Sequence, residues 1–104
     1  MRRETRPQFA KTPGVSTLTL TNANTEYSLE LPLGLVYAEI HARQSADIRI
    51  AWETGAVAAG AKPYFTIKAD DCMVIRNAKM LTNRTIYIAS SDAGTIVEFL
   101  TWSV

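Results

Sequence analysis

The stretch RTIYIASSDAGTIVEFLTW (residues 84–102) indicates the class of fold most clearly. In its first part Ile86 and Ile88 alternate with a threonine and a tyrosine, and this period of two is typical of a half-buried β-strand. The small and polar residues at 90–94 predict a loop, and the β-branched and aromatic residues of Thr95–Trp102 predict a second strand. We therefore expect these two strands to form an antiparallel hairpin.

Similar short runs, separated by turn residues, continue towards the N-terminus. In Asp47–Trp52 (DIRIAW), for example, Ile48, Ile50 and Trp52 share one face. No window long enough for a helix shows a convincing helical repeat. Strands are predicted at Val15–Leu20, Glu26–Leu31, Leu35–Arg43, Asp47–Trp52, Tyr64–Lys68, Cys72–Ile75, Arg84–Ala89 and Thr95–Trp102. The sequence therefore predicts an all-β fold, a single β-sandwich or jelly-roll-like domain of about eight short antiparallel strands.

The last predicted strand is apolar on both faces. Val97 and Phe99 lie on one face, and Leu100 and Trp102 lie on the other. A strand of this kind is covered on two sides, by its own core and by an arm, a loop or a neighbouring subunit. Val97 and Phe99 are therefore candidate interface residues; the alternative is that they cover a corner of the sandwich.

Two other segments lead to definite expectations. In Leu35–Arg43 the alternation places Val36, Ala38 and Ile40 on one face and Leu35 on the other.

Residues 53–62 (ETGAVAAGAK) contain two interrupting glycines and no bulky apolar stripe. We expect a mobile loop of small side chains there, with a short helical turn as the alternative.

Residues 1–14 (MRRETRPQFAKTPG) lack any periodicity and contain two prolines and a glycine. We expect an extended arm here and the sandwich domain at 15–104. The first eleven residues carry a net charge of +3 and the rest of the chain −2, so a basic arm precedes a slightly acidic body. The candidate partner-binding residues of the arm are Arg2, Arg3, Arg6, Phe9 and Lys11.

Composition excludes several classes of protein. The length of 104 residues fits one domain, and 47% hydrophobic with 20% charged residues is ordinary for a folded chain. The single cysteine, Cys72, cannot form an internal disulfide, and we expect it to pack as a small buried hydrophobe. No apolar run has the length of a membrane span, and the basic N-terminus is not followed by the apolar stretch of a secretion signal.

Residues that carry chemistry are few. His41 is the only histidine, and we expect it to be structural or neutral. The pair Asp70-Asp71 is expected to lie on a solvated turn; a calcium site is the alternative that we disfavour. We expect no catalytic residues, no metal and no cofactor. The large aromatic residues could form a stacking platform for sugars or bases, but core packing is the simpler interpretation for most of them. They are Trp52, Tyr64, Phe65, Tyr87 and Trp102.

Three segments in this order, DIRIAWETGAV (47–57), PYFTIKADD (63–71) and TIYIASSDAGTIVEFLTW (85–102), resemble small virion structural proteins of tailed bacteriophages. The resemblance covers about half of the chain and rests on strand and turn patterns. Its most recognisable part is the final segment, with Tyr87, Gly94, Glu98 and Trp102 in place.

The resemblance implies a non-enzymatic β-sandwich or jelly-roll protein that decorates or cements a capsid. Its implied partners are the major capsid protein or another virion protein, together with copies of itself, and its implied location is the virion, after synthesis in the host cytoplasm. A membrane partner is not expected, and nucleic acid is disfavoured because the body has no broad basic face. The alternatives are a tail, collar or fibre component of the virion and a carbohydrate-binding module.

Overall fold

The computed structural model describes residues 12–58, 62–76 and 84–103. Within these ranges the chain forms eight β-strands and no helix, which confirms the predicted all-β class. The strands are β1 (Thr12–Leu20), β2 (Tyr27–Leu31), β3 (Leu35–Ala42), β4 (Ile48–Ala51), β5 (Phe65–Ile67), β6 (Cys72–Arg76), β7 (Arg84–Ala89) and β8 (Thr95–Ser103).

The strands form two antiparallel sheets of four. Sheet A has the order β1-β8-β3-β6, and sheet B has the order β2-β7-β4-β5. Among the described strands, β4 and β5 are the one pair of sequence neighbours that hydrogen-bond to each other; every other consecutive pair changes sheet. This path of eight strands through two sheets is that of a jelly roll, which is one of the two predicted architectures.

The main core lies between the two sheets. It consists of inward-facing aliphatic residues from alternate strand positions and one phenylalanine, and burying a side chain of this size contributes roughly 1.5–3 kcal/mol. Its buried members are Leu20, Leu31, Leu35, Ala38, Ile40, Ile48, Ile50, Ile67, Ile86, Ile88, Val97 and Phe99. Val97 and Phe99 are both 0% exposed. The assignment of these two residues to an interface is therefore wrong, because the inward face of β8 is fully covered by this chain's own sheet B.

Strand β3 departs from simple alternation near its start. The register of its pairing with β8 shifts between Leu35 and Tyr37, which marks a β-bulge. Because the extra residue resets the alternation, Leu35 and Ala38 are both fully buried. The prediction that Leu35 and Ala38 lie on opposite faces is therefore wrong.

Strand β1 begins earlier than the sequence predicts. Thr12, Pro13 and Gly14 pair with the end of β8, so the sandwich domain begins at residue 12 and not at residue 15. The proline and glycine suggested an arm, but β1 is the edge strand of sheet A, and an edge strand tolerates a residue without a backbone N–H. The predicted arm residues Arg2, Arg3, Arg6, Phe9 and Lys11 lie outside the described residues.

The two strands of the 84–102 stretch do not form a hairpin. Strand β7 belongs to sheet B and β8 to sheet A, so residues 90–94 carry the chain from one sheet to the other. Gly94 has a φ of 79° and donates its N–H to the carbonyl of Leu20 (2.8 Å). Buried Ser90 donates from Oγ to the carbonyl of Asp47 (2.8 Å), which ties this crossing to the start of β4.

Residues 53–58 form a loop, as predicted, but two of its small side chains are buried. Ala56 is 0% exposed and Val57 is 1% exposed. They cover Ala51 and Ala89 on the outer side of sheet B and form a second, smaller apolar cluster. The burial of Ala56 and Val57 therefore anchors a segment for which the sequence predicts a mobile loop; residues 59–61 lie outside the described residues.

Candidate functional site: an apolar groove at the open edge of the sandwich

An apolar groove with a volume of about 480 Å³ lies along one edge of the sandwich. Strand β5 ends sheet B there and β6 ends sheet A, and both strands line the groove. Its lining residues are Ile50, Ala51, Trp52, Glu53, Pro63, Tyr64, Phe65, Met73, Val74 and Ile75. Glu53 is the one charged residue among them. The two sheets therefore leave core-like side chains open to solvent at this edge.

Three aromatic side chains dominate the exposed part of the groove. Trp52 is 51% exposed, Tyr64 46% and Phe65 58%. Core packing is the simpler prediction for most of the five large aromatic residues, and it is wrong, because these three and Trp102 (37% exposed) are exposed. Tyr87, by contrast, is partly buried against the small cluster on sheet B. Contiguous apolar surface of this kind is typical of sites that contact another molecule.

The sheet A side of the groove is formed by β6, the last strand of this sheet within the described residues. Met73 and Ile75 are half-buried against the main core, and Val74 is half-buried on the outer side, opposite Glu39 of β3. Cys72 is exposed, so the expectation of a buried cysteine is wrong. From Cys72 to Ile75 this edge presents no charged residue and no proline, the two features that usually prevent an edge strand from pairing with another chain.

The segment that carries Trp52 is held in place from both sides. Glu26, before β2, accepts hydrogen bonds from Thr54 Oγ1 (2.6 Å) and from the backbone N–H of Gly55 (2.8 Å). Ala56 and Val57 anchor the same segment by burial against sheet B. The position of the Trp52 side chain therefore depends on contacts made a few residues further along the chain.

The turn between β5 and β6 fixes the other end of the groove strands. Asp47, before β4, accepts hydrogen bonds from the backbone N–H of Ala69 (2.7 Å) and from Lys68 Nζ (3.1 Å). These two contacts, the Ala69 hydrogen bond first, hold the pKa of Asp47 below its usual value. Asp70 has a φ of 69° and accepts a hydrogen bond from Ser45 Oγ (3.1 Å). Asp70 and Asp71 are both exposed, which confirms the predicted solvated turn.

We expect Asp47→Asn to flatten the acid side of the dependence of stability on pH. Because the folded state lowers the pKa, ionised Asp47 stabilises it fully above the ordinary pKa of about 4, and this stabilisation is lost as the pH falls through the lowered pKa. Urea unfolding at a series of pH values between about 7 and 2 measures the effect. Asp71→Asn, an exposed carboxylate on the same turn, is the matched control. Parallel pH curves for the two variants would contradict the assignment.

The outer face of sheet A carries a small polar network. His41 Nε2 lies 3.1 Å from Glu98 Oε1, and Arg43 Nε lies 2.9 Å from Glu98 Oε2. Tyr37 donates its hydroxyl to Glu39 Oε2 (2.6 Å), which raises the pKa of Tyr37. The only histidine thus lies half-exposed beside the carboxylate of Glu98, on the outer face of sheet A.

Clusters of metal-binding side chains are not found in the described part of the chain. No group of three or more histidine, cysteine, aspartate or glutamate side chains comes together within residues 12–58, 62–76 and 84–103. Over the same ranges no helix has the length and apolar character that a membrane crossing requires.

Met73, Val74 and Ile75 are site residues that the sequence did not single out. A signal was present: Cys72–Ile75 contains no polar residue on either face, although a half-buried strand should have one polar face. The sequence presents Trp52, Tyr64 and Phe65 as candidates for a stacking platform, with core packing as the simpler interpretation for most of the large aromatic residues. The topology brings these six residues together at one edge.

A scan against protein-family models, a search of curated proteins and a search of solved structures find no match to this chain.

Proposed function

We propose that this chain is a non-enzymatic structural protein of a bacteriophage virion, which decorates or cements the capsid through contacts with the major capsid protein and with copies of itself. The observation that carries the proposal is the exposed apolar groove. It combines three large aromatic side chains with an unprotected strand edge, and both features are typical of surfaces that another protein covers. The jelly roll supports the proposal only weakly, because this fold serves capsid, lectin and cupin proteins alike.

The segments that resemble virion proteins also supply the groove aromatics. Segment 47–57 contributes Trp52, and segment 63–71 contributes Tyr64 and Phe65. The resemblance and the exposed surface therefore concern the same part of the molecule. This agreement supports an assembly function in which the groove is the contact surface and the sandwich is a rigid support.

A carbohydrate-binding module is the second candidate, since exposed Trp52 and Tyr64 could stack on sugar rings. The guanidinium carbon of Arg49 lies 6.0 Å from the centroid of the Tyr64 ring and adds a polar group beside it. A sugar site also needs several converging hydrogen-bonding side chains, and Glu53 is the one charged group that lines the groove. The apolar lining thus favours a protein partner over a glycan.

Purified particles of the phage that encodes the chain provide the direct test. We expect this protein in gradient-purified virions at hundreds of copies, in a fixed ratio to the major capsid protein and retained on emptied heads. A few copies that are lost together with the tail would move the protein to the tail or collar. Absence from the particle, together with binding to a glycan array, would replace the assembly proposal with the carbohydrate one.

Deleting residues 1–11 should abolish attachment to capsids and leave the sandwich folded. The basic arm adds contact area and positive charge to an interface, whereas β1 begins at Thr12 and remains complete in this truncation. Co-sedimentation of the added protein with capsids that lack it measures attachment. Cutting at residue 14 is less informative, because it removes three residues that pair with β8.

A variant of full length separates the charge of the arm from its presence. In the triple variant Arg2→Ser, Arg3→Ser, Arg6→Ser we expect weaker attachment that no longer depends strongly on salt. Thermal unfolding should give the same midpoint for the natural sequence, the truncation and the triple variant. Full attachment of the truncated chain would refute a binding role for the arm.

A further inference from the structure

Among the described strands, β1, β2, β5 and β6 lie at the edges of the two sheets, and β6 is the least protected of these four. Strand β5 has three residues, follows Pro63 and ends beside Lys68. Strand β2 carries Glu30, and the long edge of β1 contains Pro13, Gly14 and four serine or threonine residues among its nine. Strand β5 lines the same groove but is too short to template a long pairing, whereas β6 presents the uncharged run Cys72–Ile75 beside the groove. A strand edge with this composition is a ready template for an additional strand.

The charges beside β6 select one orientation for such a strand. The acidic turn Asp70-Asp71 precedes β6, and Arg76 ends it; all three residues are exposed. A second β6 in antiparallel orientation brings the Arg76 of each copy to the acidic turn of the other copy. A parallel arrangement would place Arg76 beside Arg76, which is unfavourable. The edge is therefore self-complementary in the antiparallel orientation.

We propose that two copies of this chain pair through β6 about a twofold axis at Val74, which joins their A sheets into one eight-stranded sheet. The pairing is isologous: Arg76 lies opposite the partner's Cys72, and Val74 lies opposite the partner's Val74. Because the groove runs along the same edge, each copy covers the exposed Trp52 and Phe65 of the other. The inference rests on the proposed assembly function in taking the groove as the contact surface, and it names a second copy as the occupant.

Cysteine cross-linking tests the register of the pairing. In a Cys72→Ser background, Val74→Cys places two thiols across the axis, where opposite Cα atoms of antiparallel strands lie about 4.5–5.5 Å apart, within reach of a disulfide. Under mild oxidation of the purified full chain we expect most of this variant to become a covalent dimer. Thr17→Cys in the same background is the matched control, an exposed position on the free edge of β1. Equal or faster cross-linking at Thr17 would overturn the assignment of the interface to β6.

A charge exchange tests the pairing in solution without any cysteine. Sedimentation velocity over a range of concentrations should show a dimer for the natural sequence. Arg76→Glu should weaken it by about tenfold, because two symmetric attractions become repulsions. The double variant Arg76→Glu, Asp71→Arg should restore dimerisation. A natural chain that is monomeric at every concentration, or a double variant as weak as the single one, would refute the proposal.

The outcomes separate this inference from the proposed function. A chain that dimerises through β6 but is absent from virions would keep the dimer and remove the virion role. A chain that is present on capsids, but is monomeric in solution and does not cross-link at Val74, would keep the virion role and leave the groove to another virion protein.

Discussion

We expect Phe99→Ala to lower the free energy of unfolding by about 3–5 kcal/mol. Phe99 is the largest of the fully buried side chains and lies on β8, between Ser16 of β1 and Ile40 of β3. Removing its ring leaves a cavity between the two sheets that the surrounding β-strands cannot collapse to fill. A domain of this size has a total stability of roughly 5–15 kcal/mol, so the loss is a large fraction of it. Urea unfolding monitored by tryptophan fluorescence measures the change.

The neighbouring residue on the same strand provides the control. Leu100→Ala removes an aliphatic side chain from the outer face of β8, where Leu100 is only partly buried. We expect a loss of about 1 kcal/mol or less there, since little apolar area returns to water. Similar losses for the two variants would mean that Phe99 is not the centre of the core.

The second large effect is expected from Val57→Asp. Val57 is 1% exposed and packs on sheet B with Ala56, Ala51 and Ala89. A carboxylate at this position would be buried among apolar side chains, and burying a charge in such surroundings costs about 3–5 kcal/mol. Denaturant unfolding of the purified variant should therefore show a loss of this size.

Ala58→Asp is the matched control for this variant, because Ala58 is exposed on the same segment. It should retain the stability of the natural sequence within about 0.5 kcal/mol. If residues 52–58 simply detach in the Val57→Asp variant, global stability stays unchanged and only the amide hydrogens of this segment exchange faster. That result would contradict a contribution of Val57 to global stability. Either way, loss of this packing should displace Trp52 and so impair the groove.

The strand positions could be predicted from sequence because alternation is a local property. Each of the eight predicted strands overlaps an observed strand. The predicted strand Arg84–Ala89 has the same first and last residues as the observed β7. Which strands pair with each other, by contrast, is not a local property of the sequence. The SSDAG loop before β8 shows where the chain turns, but not whether the next strand returns to the same sheet or crosses to the other. The crossing at Gly94 depends on contacts with Leu20 and Asp47, which are distant in sequence.

The groove could not be predicted, because alternation gives the face of a residue but not the place of its strand in the sheet. Phe65 and Ile67 share one face of β5, yet Phe65 is 58% exposed and Ile67 is 4% exposed. Ile48 and Ile50 are buried as predicted, but β4 ends at Ala51 and the chain leaves the sheet before Trp52. Exposure at these positions follows from the open edge of the sandwich, which only the topology defines.

The central place of β8 in sheet A has a consequence for how the chain folds. Strand β1 has β8 as its hydrogen-bonding partner in the described structure, and β3 is joined to β1 only through β8. During synthesis β3 and β6 can pair first, but sheet A cannot be completed until residues 95–103 have left the ribosome, and β1 lacks its partner until then. With most pairings between strands distant in sequence, we expect refolding in milliseconds to seconds, the range of β-sandwiches with non-local topology. Shortening the chain within β8 should consequently prevent the folding of β1, although the two strands lie at opposite ends of the sequence.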